Sequence, residues 1–481
     1  MRQLNTPVMK LGNSFLSLKH NLPTDYPTMK KIFTFTLFAL STNVAHSAIE
    51  IPFELEGAAT TPVEVTIKTT VAVFSRLDQI AESERTVDQQ KLWTTLNYVA
   101  TQLDPDSEED KAITEKLYRA ISPKANSANT TVTRKTPGTV SVKGIGKRLS
   151  ALRKQVKLNN FASTSSISKP RNRDFFGFSS TLIKYNNPLE EGGLLDQRLS
   201  GFVSSGVTVS DQSETGTEVG FEGDLQQLTL GADYRLTNAT FAGAAMSFST
   251  GEVNLDNNNG KLGNSSQTVL LYGTYTLNPN WYVDSTLSFG TRTFELERKI
   301  NFTLGTTTTD VTANSNPNSD FTGISIGTGY DKSWNNGHSI SLLANFDYTQ
   351  SNIDAFTEAD AGGFNLAVGS QSLNSMQLTY GAEWRQSIST GFGVLLPQFS
   401  MNWTQEFETS SDTIDAYFIA DPDKNSIEYK TGNKDQGYLN LKLGTSMIMP
   451  RGLSLFAQYE TQQFVDDYQQ YMISIGGRKE F

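Results

Sequence analysis

From about residue 199 onward, apolar and polar residues alternate with a period of two. Leu228, Leu230, Ala232, Tyr234 and Leu236 alternate with Thr229, Gly231, Asp233 and Arg235. Ile340, Leu342, Ala344, Phe346 and Tyr348 alternate with Ser341, Leu343, Asn345 and Asp347. Met376, Leu378, Tyr380, Ala382 and Trp384 alternate with Gln377, Thr379, Gly381, Glu383 and Arg385. Successive side chains of a strand point to opposite faces, so the pattern needs one environment that accepts Asp, Glu and Arg and another that excludes them. It predicts twelve strands, over about residues 199–210, 222–236, 240–253, 266–277, 281–297, 320–334, 338–352, 372–389, 392–409, 436–449, 452–462 and 470–481.

The connections separate a barrel from a sandwich. Short turns follow the even strands: Thr237-Asn238-Ala239, Asn278-Pro279-Asn280, Asn335-Asn336-Gly337, Thr390 and Pro450-Arg451. Long polar segments follow the odd strands, at 211–221, 254–265, 298–319, 353–371, 410–435 and 463–469. Short turns at one end and long loops at the other are expected of an outer-membrane β-barrel, whereas Greek-key crossings would scramble the alternation. An even strand count leaves both chain ends on the short-turn, periplasmic side. Tyr234, Trp281, Tyr348, Trp384, Trp403, Tyr459 and Tyr471 lie near strand ends, where interfacial girdles form. The expected fold is therefore an all-β, antiparallel, transmembrane barrel.

The pattern is different upstream. Residues 49–69 are rich in Thr and Val and are expected to be extended, while 70–121 carry helical spacing. Val73, Leu77, Ile80 and Ala81 share one face, as do Leu92, Leu96, Val99 and Leu103, and then Ile113, Leu117 and Ile121. Residues 122–141 are rich in Ser, Thr, Asn and Pro and read as a linker. Residues 142–160 form an amphipathic, basic helix. Val142, Ile145, Leu149, Leu152 and Val156 line one face, and Lys143, Lys147, Arg148, Arg153, Lys154 and Lys157 supply charge with no acidic residue among them. Taken alone, such a helix is solvated or lies on a membrane surface.

Composition removes several function classes. The chain has no cysteine, so disulfides, thiolate metal sites and a Cys nucleophile are excluded. Its three histidines are His20, His46 and His338, which leaves at most one imidazole in the body of the protein and no multi-His metal site. A net charge of −10 argues against nucleic acid as a partner. Mean hydropathy is −0.37, with no apolar run long enough for a membrane helix after the N-terminal region. Met29-Lys30-Lys31, the run IFTFTLFAL and Ala45-His46-Ser47-Ala48 form an export signal over 29–48, cleaved after Ala48 or Ser47. Residues 1–28 precede it unusually. Met29 is read as the true start, with a long signal peptide as the alternative.

At the C-terminus, Tyr471, Ile473 and Ile475 alternate with Met472, Ser474 and Gly476, and the sequence stops at Phe481. A final amphipathic strand ending in an aromatic is the assembly signal expected of outer-membrane barrels; Lys479 departs from it. Over residues 140–481 the sequence resembles the translocator β-domain of autotransporters (type V secretion). The resemblance is carried by Leu199-Ser200-Gly201-Phe202, Leu230-Gly231-Ala232-Asp233-Tyr234-Arg235, Leu271-Tyr272-Gly273-Thr274-Tyr275 with Trp281-Tyr282-Val283-Asp284, Gly391-Phe392-Gly393-Val394-Leu395-Leu396-Pro397-Gln398, and Phe481. It implies twelve strands and an N-terminal helix threading the lumen, a place that residues 142–165 occupy in the sequence. Inward carboxylates such as Asp233, Asp347, Glu383, Glu406 and Glu460 are expected to hold that basic helix, with desolvation offsetting part of the attraction. The implied partners are outer-membrane lipid and, during biogenesis, the Sec translocon and the barrel assembly machinery. The expected state is a monomer with no cofactor.

The passenger is where the chain departs from this family. Only residues 49–141 separate the signal from the basic helix, without an internal repeat. They read as a junction or vestigial passenger, periplasmic or surface-exposed. They hold no His, Cys or GxSxG elbow, so an enzymatic passenger is not expected. His338 beside a short turn reads as structural rather than as the base of a phospholipase. Asn159-Asn160 is a position at which some autotransporters cleave, but such pairs recur in this Asn-rich chain, and 254–265 reads as a surface loop rather than a Ca²⁺ site. Two alternatives to a translocator remain: a pore for small solutes, and an adhesin acting through loops 298–319, 353–371 and 410–435.

Overall fold

The computed structural model describes residues 60–135, 198–449 and 452–480. Four helices come first: α1 (Pro62–Asp78), α2 (Val87–Gln102), α3 (Glu108–Ile121) and α4 (Ser127–Lys135), the last preceded by a 3₁₀ turn at Pro123–Asn126. The strands follow in order as β1 (Leu199–Gln212), β2 (Phe221–Arg235), β3 (Thr240–Leu255), β4 (Gly260–Thr276), β5 (Trp281–Leu304), β6 (Thr307–Ser315), β7 (Asn318–Ser333), β8 (His338–Ile353), β9 (Phe356–Thr357) and β10 (Leu366–Val368). Then come β11 (Gln371–Gln386), β12 (Ile388–Thr390), β13 (Gly393–Glu406), β14 (Thr413–Phe418), β15 (Ile427–Lys430), β16 (Gly437–Met449), β17 (Leu453–Gln463) and β18 (Tyr468–Glu480).

Twelve of these strands form a closed antiparallel barrel, in the order β1, β2, β3, β4, β5, β7, β8, β11, β13, β16, β17, β18. Closure is made by β1 against β18, from Ser200 opposite Glu480 to Gln212 opposite Tyr468. Full closure leaves no open sheet edge in the hydrocarbon layer, where an unpaired backbone group has no water to bond. The large apolar residues of the alternating sets face outward and are exposed: Leu228, Leu230, Leu342, Phe346, Tyr380, Leu443 and Ile475 among them. Their neighbours Thr229, Asp233, Ser341, Thr404 and Ser474 face the lumen and are buried.

The height of the apolar band follows from register. Trp384 is opposite Ile340 on β8, and Tyr348 stands eight residues further along that strand. At about 3.3 Å per residue and a tilt near 40°, those residues span roughly 20 Å, close to the ~25 Å band of such barrels. A charge placed in this band is costly. Ile326 faces outward beside Phe346. Ile326→Arg is expected to lower folding stability in lipid vesicles by about 2–4 kcal/mol, read from urea titrations; an unchanged midpoint would contradict the lipid-facing assignment.

The short turns use local side-chain chemistry. Asn278 Oδ1 accepts from the backbone N–H groups of Asn280 and Trp281, both at 2.9 Å, and Gly337 takes a φ of +86° that an L side chain adopts at a cost. The opposite end differs from the loops expected there. Residues 298–319 are not a loop: β5 runs 24 residues and returns as β6, a two-stranded ribbon rising beyond the barrel wall. Within 353–371 and 410–435, β9, β10, β14 and β15 form a second sheet in the order β15-β14-β10-β9. Within 254–265 only the turn at Asp256–Asn259 interrupts β3 and β4. The reason is shared: Ile300, Phe302, Leu304, Leu366, Ile414 and Phe418 keep the period-two pattern past the membrane because helices bury them.

Two further expectations fail in the helices. Residues 62–69 are helical rather than extended. Glu64 N–H donates to Thr61 Oγ1 at 3.3 Å, Thr61 N–H donates to Glu64 Oε2 at 3.0 Å, and Pro62 sits at the first helical position. This capping box outweighs the β-branched composition. Residues 122–135 are not an exposed linker. They form the 3₁₀ turn and α4, and every residue from Ile121 to Thr133 is buried. Their Ser, Thr and Asn content reflects polar surroundings, not solvent.

Candidate functional site: the closed mouth of the barrel

The helices sit on the long-loop end and share one core with it. From the helices come Ile67, Val73, Leu77, Leu92, Leu96, Val99, Leu117, Tyr118 and Ile121; from the strands and connections beyond the barrel come Ile300, Phe302, Ala313, Phe364, Leu366, Val368, Ile414, Phe418 and Ile427. Neither set closes a core alone. Burial pushes the Tyr118 phenol up to about 12, against a hydrogen bond from Thr70 Oγ1, so this ring stays neutral within the packed helices.

At the centre of the contact lies Arg298, 1% exposed, paired with the fully buried carboxylate of Glu358. Arg298 Nε donates to Glu358 Oε1 at 2.9 Å and Nη2 donates to Oε2 at 2.5 Å. The remaining donors reach the Ala120 carbonyl at the end of α3 (3.0 Å) and the Phe364 carbonyl (2.8 Å). Glu358 also accepts from the Leu366 N–H at 2.9 Å. This fork ties the C-terminus of α3 to β5 and the second sheet with its polar groups satisfied, which is what lets a buried pair persist.

Below that core the chain turns into the cylinder. Ala125, Ala128 and Val132 pack on inward-facing Phe221, Val253, Leu255, Leu262, Phe294 and Leu296 of β2 to β5. On the other side Thr130 Oγ1 donates to Gln371 Oε1 at 2.5 Å, and Tyr429 O–H donates to the Pro123 carbonyl at 3.2 Å. Cations on the helical segment meet carboxylates on the wall: Arg76 with Asp423 (3.3 Å), Arg119 and Lys124 with Glu214 (2.5 and 2.6 Å), Arg134 with Glu218 (2.5 Å) and Asp412 (3.6 Å), and Lys135 with Asp435 (2.8 Å). Burial raises the Asp412 carboxyl above the usual range, with Lys434 and Arg134 pulling it back down.

The residues singled out from the sequence distribute as follows. Tyr471, Ile473 and Ile475 point outward on β18, the last two 55% and 58% exposed, while Phe481 lies outside the described residues. The basic segment 142–165, with Lys143, Lys147, Arg148, Arg153, Lys154 and Lys157, and the pair Asn159-Asn160 also lie outside them. The five carboxylates have partners on the wall. Ser200 Oγ donates to Asp233 at 2.8 Å, and Asn345 donates to Asp347 at 2.5 Å. Glu383 pairs with Arg385, and Glu460 with Lys442 at 3.4 Å. Glu406 accepts from Ser375, Gln377 and the Met376 N–H at 2.7–3.0 Å. They are spread from the short-turn end to the upper wall and do not form one cluster. His338 stands at the short-turn end with its ring 5.8 Å from that of Trp384.

Arg298, Glu358, Glu218 and the α4 cations were not apparent from the sequence. The available signal was weak: Lys124, Arg134 and Lys135 bracket a stretch otherwise free of charge, and Glu358 and Arg298 fall in segments that looked like loops.

Comparison with known proteins gives likenesses to solved structures and one family match. The chain resembles the translocator domain of the autotransporter NalP from Neisseria meningitidis at 15% identity and TM-score 0.47, covering 61% of this chain and 91% of that one. It resembles the β-domain of the Bordetella autotransporter BrkA at 16% identity and TM-score 0.45, covering 59% and 100%, and the transport unit of AIDA-I from Escherichia coli at 12% and 0.40, covering 63% and 97%. No curated protein matches it. Residues 201–460 match the model of the autotransporter β-domain. With more than half its length accounted for in this way, the chain belongs to the autotransporter β-domain family, the outer-membrane barrels of type V secretion.

Proposed function

We propose that this barrel carries its own short N-terminal segment to the cell surface and keeps it there as a docked cap, instead of releasing a large passenger. The observation that carries this is the shared core: the helices of residues 62–121 are completed by strands at the long-loop end. In barrels of this kind the long loops face the exterior and the short turns the periplasm. The segment 29–48 supplies export to the periplasm, and the lumen supplies the route outward. In this reading the exported segment and the long-loop strands make one surface domain, available for contact with other cells or molecules.

The natural chain has no cysteine, so single-cysteine labelling is clean. Glu109 is exposed at the start of α3, and Asn335 is exposed in a short turn. In intact cells, Glu109→Cys is expected to react with a membrane-impermeant maleimide, and Asn335→Cys only after the outer membrane is permeabilised. Labelling of Asn335→Cys but not Glu109→Cys in intact cells would overturn the proposal.

A further inference from the structure

The contacts of α4 have a charge logic that bears on conduction. Around α4 and the turn before it, the wall brings Glu214, Glu218, Asp412 and Asp435 with Lys434, five groups whose charges sum to −3. The helical segment brings Arg119, Lys124, Arg134 and Lys135 to them. Apolar contact is confined to one side of α4. Its other residues, Ser127, Asn129, Thr130, Thr131 and Thr133, are polar and fully or almost fully buried. Among the described residues, neither side-chain atom of Asn129 has a hydrogen-bond partner, and the same holds for Thr133 Oγ1. Orphaned buried amides oppose the closed arrangement. Within the mouth, α4 is therefore held on one side by the apolar strip of β2 to β5 and on the other by opposite charge, and its departure leaves an opening with acidic groups on that other side.

We propose that residues 60–135 are a gate: docked, they close the long-loop end of the lumen, and released, they leave a pore that passes small cations in preference to anions. Charges lining a narrow, low-dielectric passage focus the field and concentrate counter-ions. The inference rests on the barrel assignment but not on which side of the membrane the cap occupies, so conduction and cysteine topology can fail separately. It also predicts that removing residues 142–160 alone leaves the mouth shut.

The test uses the full chain in planar bilayers in four forms: native, Arg134→Glu with Lys135→Glu, a deletion of 142–160, and the two changes combined. Only preparations with native heat-modifiable gel mobility are compared. The deletion alone is expected to conduct like the native chain. The combined form is expected to conduct more than the native chain and the deletion, with a reversal potential in a KCl gradient that shows preference for K⁺. Glu218→Lys in the deletion background breaks the same contacts from the wall. It is expected to open the pore as well, with a weaker K⁺ preference because those five groups then sum to −1 rather than −3. The proposal is overturned if the deletion alone conducts as well as the combined form, if neither combination conducts, or if the open pore prefers Cl⁻.

Discussion

Arg298→Ala is expected to release the helical cap while the barrel stays closed. The substitution removes both hydrogen bonds to Glu358 and the bonds to the Ala120 and Phe364 carbonyls, and it strands a fully buried carboxylate. Breaking one side of a buried pair in this way costs about 3–5 kcal/mol, comparable to the whole stability of a small domain. The barrel strands do not depend on this pair, since their ladders are closed by β1 and β18. Limited proteolysis of the purified variant is therefore expected to cut between residues 60 and 121, with the barrel fragment retaining its heat-modifiable mobility. Resistance equal to that of the native chain would mean that the fork is not what anchors the cap. The double replacement Arg298→Met with Glu358→Met should recover part of the protection. The Leu366 N–H and Phe364 carbonyl would still lack partners.

The second large effect comes from the barrel side of the shared core. Phe364 is fully buried, meets Phe302 edge-on at 5.6 Å between ring centroids, and lies under the Lys91 ammonium at 5.1 Å. The chain beside it approaches α2 closely: a side chain at Gly363 would come within 2.3 Å of the Asp88 carbonyl. Phe364→Ala is expected to destabilise the cap by about 3–5 kcal/mol, although the residue lies in a strand connection more than two hundred residues from the helices in sequence. Leu92→Ala, from the helical side of the same core, is expected to cost about 2–5 kcal/mol. If the two sides form one core, the double variant costs less than the sum of the singles. Strict additivity, measured by denaturant titration of cap protection, would indicate two independently folded parts.

These expectations show what the sequence made legible. The barrel could be read because lipid on one side and water on the other impose a strict alternation, and the register of β2, β8 and β11 follows it residue by residue. The three long helices were visible through Leu92, Leu96, Val99, Leu117 and Ile121, which keep helical spacing around an apolar core. The first turn of α1 was concealed by Thr and Val, although Thr61-Pro62 and Glu64 held a capping signal. α4 was concealed for another reason: its apolar side is only Ala128 and Val132, and its other residues face polar walls, so Ser127 to Thr133 looked like a linker. The long-loop strands were missed because residues such as Arg298 and Glu358 are charged yet buried, and nothing in a single sequence marks a charge whose partner is sixty residues away.

The central claim is that the helices and the long-loop strands are one folded unit seated on the barrel, and hydrogen exchange of the full chain in lipid nanodiscs tests it most directly. Cooperative units open together and lose amide protection with a common free energy. The amides of α1, α2 and α3 are expected to exchange in step with those of β9, β10, β14, β15 and the β5–β6 ribbon, well before the barrel strands. Helices that exchange within seconds while those strands remain protected would contradict it.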